Sequence, residues 1–119
     1  MIISFKDSKT EKVFCDLKGL TRRWGPEQAR VIGRRLNELA AAENLEILRS
    51  LPQLRAHELS GDRAGQISLD IKHPYRLLIV PDHEKIPRKK DGGLDWKQIT
   101  KIKIQWMEKN GDNKRTGRN

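Results

Sequence analysis

Three residues, His73, Pro74 and Tyr75, constrain this chain more tightly than any others. They separate an alternating run, Ile67, Leu69 and Ile71, from an aliphatic run, Leu77 to Val80. Period-two alternation bounded by Gly and Pro reads as strand. A parallel pair needs a crossover of about a dozen residues or more, so this link permits only an antiparallel hairpin. Successive strand residues point to opposite faces. Ile67, Leu69 and Ile71 therefore share a core face, and Gln66, Ser68 and Asp70 share a polar one, which is expected to stay open and to carry any chemistry.

The flanks supply the cover. Ile2 to Phe5 is short, apolar and β-branched enough for a first strand. Ser8 and Glu11 have capping-box spacing at the start of a helix from Lys9 to Lys18, with Gly19 as its stop. Cys15 falls in this helix and reads as a packing residue. Thr21-Arg22-Arg23-Trp24 then joins it to a second helix opened by Pro26, a first-turn position where the missing N–H costs nothing. Ala29, Ile32, Leu36, Leu39 and Ala40 form its apolar stripe, with Arg30, Arg34, Arg35 and Glu38 opposite. Asn44 caps a short turn that Pro52 ends.

Leu54 to Leu59 is a short segment before the Gly61-Asp62 turn signal. Pro81 to Lys97 reads as an exposed loop, and Ile99, Ile102, Ile104 and Trp106 as a last strand with Lys101, Lys103 and Gln105 interleaved. From Lys109 onward the chain lacks apolar residues and is expected to be disordered. The order predicts an α+β fold, with an N-terminal strand and two helices packed on one face of a mostly antiparallel sheet. At 119 residues one domain is expected, over 1–108, followed by a basic tail at 109–119.

Composition bears on partners. With 25 Lys and Arg against 16 Asp and Glu, the net charge is +9, a surface that attracts polyanions. One cysteine cannot form an internal disulfide, which suits a reducing compartment. No signal peptide and no membrane-length apolar run is visible, so a cytoplasmic protein without membrane contact is expected. His57, His73 and His83 lack zinc-site spacing, and Gly92-Gly93 is not a phosphate-cradling loop, so neither metal nor organic cofactor is expected.

The segments IISFKDSKTEKVF, TRRW, RAHELSGDRAGQISLDI and YRLLIV together resemble the RelE-like toxins of type II toxin–antitoxin systems, in particular the HigB or "killer protein" branch. The specific part is the succession Arg55, His57, Leu59, Gly61, Asp62, Arg63, Gly65 and Ser68. The resemblance implies a RelE-like fold and a toxin that cuts messenger RNA on the ribosome, inhibits translation and is silenced by a helix-turn-helix antitoxin. Metal-free RNA cleavage uses the adjacent 2′-OH as nucleophile, so it needs a base, positive charge for the phosphorane-like state and an acid for the leaving oxygen.

In that setting His57 is the candidate base, Arg76 the candidate charge stabiliser and Arg63 a further active-site cation. Arg22, Arg23, Arg55 and Lys103 are the candidate RNA contacts. The plainer readings are a surface histidine and a strand arginine paired with a carboxylate such as Asp70. Many RelE-like proteins end the last strand with Asp-Tyr-His, where this chain aligns Lys109, Asn110 and Gly111, leaving Glu108, Tyr75 or Lys103 as substitute acids. That departure opens the alternative of a non-catalytic protein on the same fold that binds RNA, the ribosome or gyrase.

Overall fold

A computed structural model describes residues 1–109, so the expectations for Asn110, Gly111 and the rest of the tail fall outside the described residues. The elements run β1 (Ile2–Phe5), α1 (Ser8–Phe14), α2 (Leu17–Ala41), α3 (Glu46–Arg49), β2 (His57–Glu58), β3 (Ile67–Asp70), β4 (Tyr75–Pro81) and β5 (Lys101–Lys109). They build one five-stranded open sheet in the order β1-β5-β4-β3-β2. β1 lies parallel to β5, and every other neighbour is antiparallel. The fold is α+β, as the element order predicts.

The β3–β4 hairpin closes through Ile71 N–H to Tyr75 O and Tyr75 N–H to Lys72 O. Its core face delivers Ile67, Leu69, Leu77 and Ile79, which are fully buried together with Ile102 and Ile104 of β5. Leu20, Ala29, Ile32 and Leu39 of α2 join the same cluster. Burying each such aliphatic chain stabilises the fold by about 1.5–3 kcal/mol, so α2 is held on the sheet through this cluster.

The helices start elsewhere than Ser8 and Pro26 suggest. Asp7, not Ser8, caps α1, accepting from Thr10 N–H at 2.8 Å. α1 ends at Phe14, and Asp16 restarts the helix at Leu17 by accepting from Lys18 N–H. Gly19 is therefore no stop but part of the first turn of α2, where a Cβ would meet Asp16 Oδ2 at 2.9 Å. Cys15 falls at the junction and is exposed rather than packed. Thr21 to Trp24 is helical, and α2 kinks at Gly25, whose φ of 87° is open to glycine and strained for other residues. Pro26 opens the second half, as its missing N–H allows. Arg35, expected on the solvent side, is buried, donating to the Asp70 carbonyl at 2.8 Å and pairing with Glu38 at 3.0 Å. Ala40, expected in the stripe, is exposed.

The 82–100 connection is tied down rather than exposed along its length. Leu94, Trp96 and Ile99 are buried, and the Arg49 guanidinium lies 3.7 Å over the Trp96 ring. Ile99 precedes β5, and its carbonyl oxygen accepts from Leu45 N–H at 2.9 Å.

Candidate nucleic-acid interface

The site depends on an irregularity in β5. Ile104 pairs with Ile79, yet Trp106 pairs with Leu78, so one extra residue, Gln105, stands against a single step of β4. Ile102 and Ile104 face the core, and strict alternation would send Trp106 and Glu108 there too. The bulge reverses the parity, so that buried Met107 takes the core position opposite Leu77 and Glu108 goes to the polar face.

On that face the register aligns two rows across the strands. Trp106, Leu78, Ser68 and His57 make one; Glu108, Arg76 and Asp70 make the other. The face is not open, as expected from alternation, but partly roofed. Arg63, in the connection between β2 and β3, reaches back across the sheet to Glu108 on β5. On this face Ser68 is fully buried and Leu78 nearly so, and neither belongs to the apolar core cluster.

Glu108 is the centre of the cluster. Arg63 grips it with a two-pronged fork, Nη1 to Oε1 and Nη2 to Oε2, each at 3.0 Å. Arg76 donates from Nε to Oε1 at 3.1 Å and also from Nη2 to the same oxygen. Gln66 Oε1 accepts from Arg63 Nη2 at 2.9 Å, which aims the fork. Burial pushes the Glu108 carboxyl up, but the hydrogen bonds and charges of Arg63 and Arg76 outweigh it and hold the group below its ordinary value of 4.5. Glu108 is thus an anion near neutral pH and no proton donor, which removes it from the candidate acids. Among the described residues the carboxylate that Arg76 pairs with is Glu108 rather than Asp70, which instead lies 3.5 Å from Arg55 Nε.

His57 stands apart from this pair. It is exposed on the edge strand, its Nδ1 lying 2.8 Å from the Arg55 carbonyl oxygen. A carbonyl only accepts, so that bond assigns the proton to Nδ1 and leaves Nε2 of the neutral ring as a base. Two strands across and two residues along place the His57 and Arg76 Cα atoms roughly 12 Å apart. The structure brings Arg63 and Arg76 together and leaves His57 at the rim of the same face.

The outer cations divide. The Arg23 guanidinium lies 5.5 Å from the centroid of the Trp106 ring, which is in the row beside that of Glu108 and packs edge-on against Phe14 and Trp24. Arg22 is well exposed, 3.9 Å from Asp16, and both arginines line a cleft with Lys12, Val13, Asp16 and Gly19. Lys103 lies five residues back along β5, paired with Asp82 at 3.6 Å, which puts it about 16 Å from Glu108 and outside this cluster. Tyr75 packs against the core cluster, on the side away from Arg76, with Lys109 over its ring at 6.0 Å. Neither supplies an acid beside Arg76. Among the described residues no group of three or more His, Cys, Asp or Glu is placed to hold a metal ion, and no helix is long and apolar enough to cross a membrane.

Sequence reasoning missed Glu108 as the centre and Gln66 as its aiming residue. Their only signal was a carboxylate in a lysine-rich strand and an amide before the alternating run. No family model, no curated protein and no solved structure matches this chain.

Proposed function

We propose that this chain is the toxin of a type II toxin–antitoxin pair, of the RelE/HigB type, which grips messenger RNA with the polar sheet face and cleaves it on the ribosome. The observation that carries this reading is the convergence of Arg63 and Arg76 on one anion, on the face that also holds His57. Two guanidinium groups aimed at a single anionic position are what a phosphorane-like transition state requires. His57 Nε2 takes the 2′-OH proton, the 2′-oxygen bonds to phosphorus, and the 5′-oxygen leaves with a proton from solvent. The products are a 2′,3′-cyclic phosphate and a 5′-hydroxyl. The net charge of +9 and the resemblance of the Arg55 to Val80 stretch support a polyanionic target.

One observation favours the second reading, a non-catalytic binder of RNA, the ribosome or gyrase: Glu108 neutralises part of the charge that catalysis needs, and among the described residues no protonated side-chain acid stands beside Arg76. Inducing the chain alone in a bacterium tests the toxin reading common to both. Growth arrest relieved by co-expression of a helix-turn-helix antitoxin is expected, and normal growth with confirmed soluble protein would overturn it.

A further inference from the structure

The carboxylate of Glu108 sits where an external anion would bind. Both its oxygens are held by Arg63, and Oε1 also by Arg76. The guanidinium fork fits a phosphate as it fits a carboxylate, because both present two oxygens at similar spacing. Among the described residues, two positive groups around one negative leave the cluster at +1, while Asp70 is turned to Arg55. Arg76 is buried and fixed in the sheet, so one half of the receptor is rigid. Arg63 is the adjustable half, for its segment lies between Gly61 and Gly65, with φ of 65° and 94°. Glu108 itself is on the penultimate described residue of β5, with a side chain still 21% exposed, so it can swing outward without opening the core.

We infer that Arg63, Arg76 and Gln66 form a binding site for one phosphate group, and that Glu108 occupies it as an internal stand-in until a phosphate displaces it. The inference rests on the proposed function only for naming RNA as the natural source of that phosphate. The anion site itself stands on the contacts above. Binding at this site in the wild type therefore competes with an attached carboxylate, and removing the carboxylate's charge unmasks it.

Glu108→Gln tests this, with Glu84→Gln, an exposed residue, as a control of equal charge change. Inorganic phosphate at constant ionic strength is expected to raise the melting temperature of Glu108→Gln by several degrees and those of wild type and control by less than about one. A short single-stranded oligoribonucleotide is expected to bind Glu108→Gln at least tenfold more tightly than it binds wild type, with a log–log salt slope steeper by about 0.7 for the added phosphate contact. Should Glu108→Gln fail to fold, Glu108→Asp retracts the carboxylate by one methylene and is expected to show the same phosphate effect at smaller size. Arg63→Gln added to either variant is expected to abolish it. Equal phosphate effects in variant and wild type, or none in both Glu108 variants, would overturn the inference, as would tighter RNA binding without a phosphate effect. A phosphate effect without tighter RNA binding would uphold the anion site and count against RNA as its ligand.

Discussion

Glu108 stands directly across the β4–β5 ladder from Arg76, and the extra residue Gln105 is what puts it there. The bulge thereby determines the electrostatics of the polar face: without the change of parity, the carboxylate would face the core cluster and Arg76 would meet a thioether.

This pairing has a pH signature. Glu108 is held below its ordinary 4.5, so its contribution to stability is fully present above that value and is lost as pH falls through the lower folded value. At neutral pH, Glu108→Gln is expected to cost about 3 kcal/mol, the lower end for breaking a buried pair, because the side chain keeps 21% exposure. Chemical denaturation of both proteins between pH 7 and 3 should show the gap narrowing below about 4.5. Asp82, lowered mainly by the Ser4 hydroxyl, and Asp7, lowered by Thr10, titrate in the same acid range but are common to both proteins and cancel. A gap independent of pH would contradict the assignment.

Gly19 has a local test. An Ala in an exposed helical turn ordinarily gains about 1 kcal/mol over Gly, but here the new Cβ would push on Asp16 Oδ2 at 2.9 Å and disturb the cap of α2. Gly19→Ala is therefore expected to be near neutral in the wild type and stabilising by about 1 kcal/mol in an Asp16→Ala background. A thermal double-mutant cycle measures the difference; equal effects in both backgrounds would count against the close approach.

Arg23, over Trp106, is placed to contribute to RNA affinity without holding the fold together. Replacing it with Ala is expected to lower the log–log salt slope for single-stranded RNA by about 0.7, the loss of one phosphate contact, with little change in melting temperature. Lys103→Ala, whose partner is Asp82, is expected to change the slope much less. The reverse ranking would move the interface to the other end of β5.

The hairpin and the α2 cover were legible because they rest on repeated patterns. Ile67 and Leu69 alternate into the core, and Ile32 and Leu39 follow the helical stripe. The bulge was not legible, since it is a two-against-one count between β4 and β5 that neither strand shows alone. Arg63 resisted for a related reason: its partner is 45 residues away, and long-range ion pairs leave no period. Leu94 and Trp96 were hidden among turn formers, where isolated apolar residues give no repeat yet anchor the connection. At the α1–α2 junction two local signals competed, and the Asp16 cap prevailed over Gly19 as a stop.

Cleavage of ribosome-bound message by wild type, His57→Ala and Arg76→Ala, with fragment ends mapped chemically, tests the proposed activity most directly. His57 is exposed, so its variant is expected to fold as the wild type does; Arg76 is buried, so its variant is compared at a temperature where folding is verified. The wild type is expected to yield 2′,3′-cyclic phosphate and 5′-hydroxyl ends. Each variant should cut about a hundredfold more slowly or less, the loss typical of removing one preorganised stabilising group. Intact message with wild-type protein bound to the ribosome would contradict the nuclease and leave the non-catalytic binder in its place.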